Sequence, residues 1–214
     1  MKAFLYVSLA IIAILIILYF CFRKQIHFFI ATFTDKKRIQ RNLYKACKLN
    51  DYLIINDIYL PVNKDTFMKM DTIIFGNKYV YIVKEMECIG ELKTSLKDNS
   101  WRLIYKSKLT LIDNPFIENK KVIENLVRVV NNLEFNDLKS IVIIPENCLF
   151  NAIEENSSNY IVSENEVIKT IQKIENNSND DILDPIELEK LCNAFYQEGL
   201  KAEKTLAKYK KRGD

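Results

Sequence analysis

Between Asp71 and Gly90 the chain reads DTIIFGNKYVYIVKEMECIG, an alternating apolar run, a Gly76-Asn77 turn and a second apolar run. The pattern predicts a hairpin with Asp71 opening one strand and Lys84, Glu85 and Met86 ending the next. An acidic side chain beside a carboxylate and a lysine on adjacent strands suits metal-assisted phosphodiester chemistry. Two or more carboxylates hold Mg²⁺, which polarises a phosphoryl oxygen and acidifies a water that a lysine can orient. The candidate residues are Asp71, Lys84, Glu85 and Glu87, with Asp71 and Glu85 as the metal ligands of an active enzyme. Each also has a plainer reading. Asp71 could cap a turn, and Lys84 could neutralise Asp71, meet a phosphate or stand exposed on its strand.

Other chemistries are poorly served. The single histidine, His27, adjoins an apolar segment, which argues against zinc or triad chemistry. The five cysteines are scattered and odd in number, with no CxxC pair, as expected of reduced, packed thiols. A net charge of +3 names no partner by itself. Its distribution says more: the C-terminal KAEKTLAKYKKRGD has six Lys/Arg against two acidic residues. Lys204, Lys208, Lys210, Lys211 and Arg212 are therefore candidate contacts for nucleic acid or anionic lipid, or the solvated end of a helix.

The elements that must position these residues are legible in outline. Ala3 to Phe22 is an uncharged stretch of about twenty residues, the span of a bilayer core as a helix. Arg23, Lys24, Lys36, Lys37, Arg38 and Arg41 follow it, so the positive-inside bias predicts a single-pass anchor, N-terminus out and the remaining chain cytoplasmic. Residues 1–34 form this anchor and juxtamembrane segment, 35–150 an α/β core, and 151–214 a helical extension with a basic tail. Lys36–Leu49 reads as a helix with Ile39, Leu43, Tyr44 and Cys47 on one side. YLIINDIYLP predicts one or two strands, followed by strands at Asp71–Phe75, Tyr79–Glu85, WRLIY and LTLI. Asn114 and Pro115 fit the N-cap and first position of a helix, and SIVIIP a strand buried on both faces. Ser163–Glu166 and Asp184–Glu187 carry capping signatures for two more helices. Trp101 reads as core. The sum is one α/β domain, a mixed sheet flanked by helices.

NDIYLP, the strand opening on Asp71, the hairpin to Gly90, Trp101 and NPFIEN occur here in an order that resembles the nuclease-related domain (NERD) family. The resemblance spans roughly Lys36 to Ile144 and implies a restriction-endonuclease-like fold of the PD-(D/E)xK type. It implies that Asp71 stands at the family's aspartate, Lys84 at its glutamate and Met86 at its lysine. A further family glutamate, expected on the first helix, has no counterpart in DKKRIQRNLYK, and Glu118 stands where the family has glutamine. Three of four catalytic positions thus depart from the pattern. The expected protein retains the fold and binds DNA or RNA with cleavage weak or lost, needing Mg²⁺ only if active. The competing expectation is a Mg²⁺-dependent endonuclease in which a strand bulge turns Glu85 and Glu87 inward. A third is a membrane-tethered scaffold for an unidentified protein partner.

Overall fold

The computed structural model describes residues 36–62, 66–130, 133–151 and 158–213. The expected anchor, residues 1–34, lies outside the described residues. Among those described, no helix is long and apolar enough to cross a membrane.

Helix α1 occupies residues 36–49. Three strands follow: β1 (Leu53–Pro61), β2 (Phe67–Phe75) and β3 (Val80–Glu85). Next come β4 (Gly90–Lys93), β5 (Ser100–Tyr105), β6 (Lys108–Asp113) and helix α2 (Pro115–Val129). The chain then forms β7 (Leu138–Ile144), β8 (Cys148–Phe150), β9 (Asn159–Ser163), α3 (Val167–Asn177) and α4 (Pro185–Gly213).

The expected single sheet is two. The larger has the order β1-β2-β3-β7-β9, antiparallel through β3 and parallel from β3 onward. The smaller has the order β6-β5-β4-β8, with β4 and β8 parallel. Strands β4 and β8 are four and three residues long, too short to give a periodic signal of their own.

The larger sheet is covered on both faces. Ile39, Leu43 and Cys47 of α1 and Ile171 of α3 pack with Ile74, Tyr81, Val83, Ile141 and Ile143. On the other side Val122 and Leu126 of α2 and Phe195 of α4 pack with Phe75, Val80, Ile82 and Leu138. All seven residues of β7 are buried, in keeping with its apolar run Ile141–Ile144. The smaller sheet closes a third cluster around Leu92, Trp101, Phe116 and Val142. The Trp101 indole N–H donates to the Ser95 carbonyl at 2.7 Å, satisfying its one polar group.

Two helix starts follow the sequence. Asn114 Oδ1 accepts from the Phe116 N–H at 3.0 Å, with Pro115 at the first helical position. Asp184 Oδ1 accepts from the Ile186 N–H at 2.8 Å. Two expectations need correction. Tyr44 is largely exposed, because α1 buries the narrower stripe Ile39-Leu43-Cys47. At Ser163 a single 3₁₀ turn, Glu164–Glu166, precedes α3; the Ser163 hydroxyl bonds the Glu166 side chain at 3.0 Å and caps no backbone N–H.

Candidate functional site

Asp71 does not open its strand, as the hairpin pattern suggested, but lies in the middle of the nine-residue β2. The β1–β2 ladder pairs Asn56 with Thr72 and Ile58 with Met70, leaving Asp57 and Asp71 between them. Asp57 has a φ of 49°, the left-handed region tolerated by aspartate. Ile55 and Ile58, three residues apart, consequently bury in one cluster, as do Met70 and Ile73. A regular strand would send each pair to opposite faces. The break in alternation falls at Asp71, whose carboxylate reaches both layers flanking the sheet.

From α1, Lys36 Nζ donates to Asp71 Oδ1 at 2.7 Å. From β3, Lys84 Nζ lies 3.4 Å from Asp71 Oδ2. The backbone N–H of Glu85 also donates to Asp71 Oδ2, at 3.3 Å. The β2–β3 ladder has its last backbone pair at Thr72–Val83, so the Asp71 side chain takes over where main-chain pairing stops. Lys84 Nζ makes a second, closer ion pair with Glu118 on α2, at 2.8 Å. Lys84 and Glu118, two of the positions at which the resemblance implies a departure from the family pattern, therefore meet as a pair of opposite charges.

The electrostatics follow this geometry. Burial acts to raise the Asp71 pKa, but the hydrogen bond from Lys36 and the charges of Lys84 and Lys36 outweigh it and hold the carboxyl below its usual range. Burial acts to lower both lysines. The hydrogen bond and charge of Asp71 overcome it at Lys36, and the Glu118 hydrogen bond with the Asp71 charge does so at Lys84. All three groups are thereby fixed in their ionised forms.

Glu85 lies on the opposite face from Lys84, beneath α1 and α3. It is 4 % exposed, and its Oε1 is 2.7 Å from the Thr72 hydroxyl. That hydroxyl is also 2.7 Å from Asn56 Oδ1. One hydroxyl has one proton, so it cannot serve both acceptors at once. A protonated Glu85 resolves the conflict by donating to Thr72, which then donates to Asn56. Burial and the Asp71 charge push the Glu85 pKa up to about 7 in spite of the Thr72 contact. Its Oε2 is buried with no hydrogen-bond partner.

No bulge turns Glu85 and Glu87 inward together. Strand β3 pairs residue for residue with β7 through Lys84–Val142 and Glu85–Ile143. Glu87 is exposed in the segment after β3, whereas Met86 packs against the third cluster. The structure thus brings Asp71, Lys84 and Glu85 together without Glu87. It adds Lys36, Thr72, Asn56 and Glu118, which sequence reasoning did not place in the site. For Lys36 the signal was a charge on the first turn of a helix, indistinguishable there from a membrane-flanking lysine. Asn114 and Asn119 prove structural: Asn114 also donates to the Ser95 and Asp98 carbonyls, and Asn119 to the Ile82 carbonyl and Ser140 hydroxyl.

This donor set does not fit Mg²⁺. Both Asp71 oxygens already accept from cationic or N–H donors, and a metal would have to displace ammonium groups. Glu85 offers one free oxygen on a carboxyl that burial keeps protonated to near neutrality. Among the described residues no group of three or more His, Cys, Asp or Glu side chains could hold a metal ion. On the basic tail, Lys204 and Lys208 are exposed on α4; Lys210, Lys211 and Arg212 belong to the same helix. That helix is docked on β1 at Gly199, where an added Cβ would approach Ile58 to 2.5 Å.

The site thus sits in a mixed α/β core, with an aspartate mid-strand, the end of β3 beside it and a helix opening on Asn-Pro. The family model for the nuclease-related domain (NERD) matches residues 35–145, just over half of the chain, and the chain belongs to that family. Comparison with curated proteins and with solved structures finds no match.

Proposed function

We propose that the chain is a membrane-anchored, cytoplasm-facing member of this family that binds nucleic acid and has weak or no cleavage activity. Family membership supports a nucleic-acid-related role and a restriction-endonuclease-like descent of the core. The observation behind the loss of cleavage is Asp71 held between Lys36 and Lys84. The aspartate that would anchor a metal is instead the shared counter-ion of two lysines. Ala3–Phe22 and the basic residues after it support the anchor and its orientation.

Binding rests on the basic end of α4, whose lysines and arginine suit phosphates without base-reading geometry. Fluorescence anisotropy of labelled single-stranded DNA, duplex DNA and RNA tests it, using the full chain in non-ionic detergent. Binding that weakens steeply with salt and varies little with sequence is the expected result. Absence of binding to all three at low salt contradicts the nucleic-acid reading and leaves a protein-binding scaffold.

One observation favours a second reading, an endonuclease using Asp71 and Glu85: the partnerless buried Oε2 of Glu85, beside Asp71. It requires Glu85 to ionise and Asp71 to shed at least one lysine, so it ranks below the first.

A further inference from the structure

Strand β6, KLTLID, is an outer edge of the smaller sheet. On one side it pairs with β5, residue for residue from Tyr105–Lys108 to Ser100–Asp113. Among the described residues no strand pairs with its other side. Five of its six residues are exposed, Leu109 by 57 % and Leu111 by 65 %. A straight apolar edge of this kind is a template for another strand, and natural edges are blunted by a bulge, a proline or a central charge. Between Lys108 and Asp113, β6 has none of these.

The hairpin fixes which backbone groups face outward. Lys106 and Ser107 join β5 to β6 with φ of 49° and 62°, as a two-residue type I′ turn requires. In such a hairpin the pair next to the turn, Tyr105–Lys108, is hydrogen-bonded, and bonded pairs alternate from there. The Asn114 N–H donates to the Asn99 carbonyl at 3.0 Å, on the same alternation. Lys108, Thr110 and Ile112 therefore direct their N–H and C=O groups to β5, and Leu109, Leu111 and Asp113 direct theirs to the open edge. The Leu109 and Leu111 side chains share the solvent face of the sheet with their partners Ile104 and Arg102, opposite to the buried Trp101.

A second β6 fits this edge. Two antiparallel strands related by a twofold axis normal to the sheet oppose only residues that point to the same face. Centred on Thr110, the pairing sets Leu109 against Leu111 of the second copy at both symmetric places. Centred on Leu111, it sets Leu109 against Asp113, an apolar side chain against a charge. The first register also complements charge at each end. Lys106, whose ammonium lies 4.9 Å from the Tyr105 ring centroid, and Lys108 flank the position facing Asp113 of the second copy. Thr110 and Lys108 point to the core side of the sheet and are exposed, which leaves room for a strand beside them.

We propose that β6 pairs antiparallel with β6 of a second copy of this chain, centred on Thr110, joining two four-stranded sheets into one. Leu109, Leu111 and Ile104 of both copies then form one apolar patch across the joint. A joint of one strand pair is smaller than the about 800 Å² per partner of a stable interface, so the dimer forms and dissociates readily. The pairing depends neither on nucleic-acid binding nor on the Asp71 centre.

The test traps the dimer covalently. On the axis the two Thr110 residues form a non-hydrogen-bonded pair, with Cα atoms about 4.5 Å apart, within the span of a disulfide. The full chain with Thr110→Cys, oxidised by diamide in non-ionic detergent, should give a disulfide-linked dimer on non-reducing gels. The parent chain and Lys120→Cys, at an exposed position on α2, should not. Adding Leu109→Lys and Leu111→Lys sets lysine against lysine at both places and should lower the dimer at least about tenfold. Both leucines are exposed, so that chain should melt with the parent. A dimer from the parent or from Lys120→Cys as abundant as that from Thr110→Cys, or one indifferent to the two lysines, overturns the proposal. Absence of a dimer from Thr110→Cys overturns it too and leaves the edge to a strand of another protein. A link through Leu111→Cys in place of Thr110→Cys overturns the register.

Discussion

Lys36 Nζ lies 2.7 Å from Oδ1 of Asp71, joining the first turn of α1 to the middle of β2. The same lysine is 3.7 Å from Asp57, the residue whose left-handed backbone interrupts the β1–β2 alternation. One irregularity in the edge strand therefore exposes Asp71 to both helical layers, and a lysine from each side holds it, Lys84 completing the pair at 3.4 Å. A buried carboxylate with two ammonium partners is a structural cross-brace, and its consequences are measurable.

Removal of one lysine leaves Asp71 with a single cation in a poorly solvated setting. Lys36→Met is expected to destabilise the protein by about 1–3 kcal/mol in urea unfolding, less than a fully buried pair because Lys84 remains. Lys36→Met combined with Lys84→Met should cost more than the sum of the two, since the carboxylate is then alone. Additive losses under about 0.5 kcal/mol each would show that water screens the pairs.

Glu85 sets a pH dependence of definite sign. Its pKa rises from 4.5 to about 7 on folding, so the native state holds the proton more tightly than the unfolded chain. The associated stability is fully present below pH 4.5 and is lost as pH rises through 7, a change of about 3 kcal/mol. Glu85→Gln should remove that slope and leave the protein more stable than the parent at pH 8. Denaturant midpoints from pH 4.5 to 8 give the answer; parallel curves for parent and variant would refute the assignment.

The basic end of α4 is expected to act through charge alone. Truncation after Ala207 removes Lys208, Lys210, Lys211 and Arg212. If these four contact phosphates, the log–log salt slope for duplex DNA should flatten by up to about 3.5. Binding to vesicles containing anionic lipid should weaken in parallel. An unchanged slope would place the phosphate contacts elsewhere.

The larger sheet, β9 apart, and its helices were readable in advance because their residues follow strong periodicities. Strand β7 is apolar from Ile141 to Ile144, α1 repeats every three to four residues, and the Asn114-Pro115 and Asp184-Pro185 starts obey local capping chemistry. Of the smaller sheet, WRLIY and LTLI announced β5 and β6, whereas β4 and β8 were hidden: both are short, and β8 pairs only with β4, far back in the chain, as Thr94 and Asn151 bond 57 residues apart. In the site, Asp71 and Lys84 were visible as departures from, or matches to, a family pattern. The partnership of Lys36 with Asp71, 35 residues apart, was not, because it depends on where α1 crosses the kinked edge of the sheet. The Thr72–Asn56 contact behind the raised Glu85 pKa likewise exists only in the paired strands.

Whether Asp71 serves two lysines or a metal is open to direct measurement. Calorimetric titration of the full chain with Mn²⁺ and Mg²⁺, paired with a cleavage assay on DNA and RNA, measures this directly. No saturable binding is expected at concentrations below about 1 mM, because one occupied carboxylate rarely anchors such an ion, and no metal-dependent cleavage. Lys84→Glu with Met86→Lys should raise metal affinity by restoring a family-like pair of charges. Metal-dependent cleavage by the unaltered chain that Glu85→Gln abolishes would overturn the two-lysine role of Asp71 and establish Asp71 and Glu85 as a working pair.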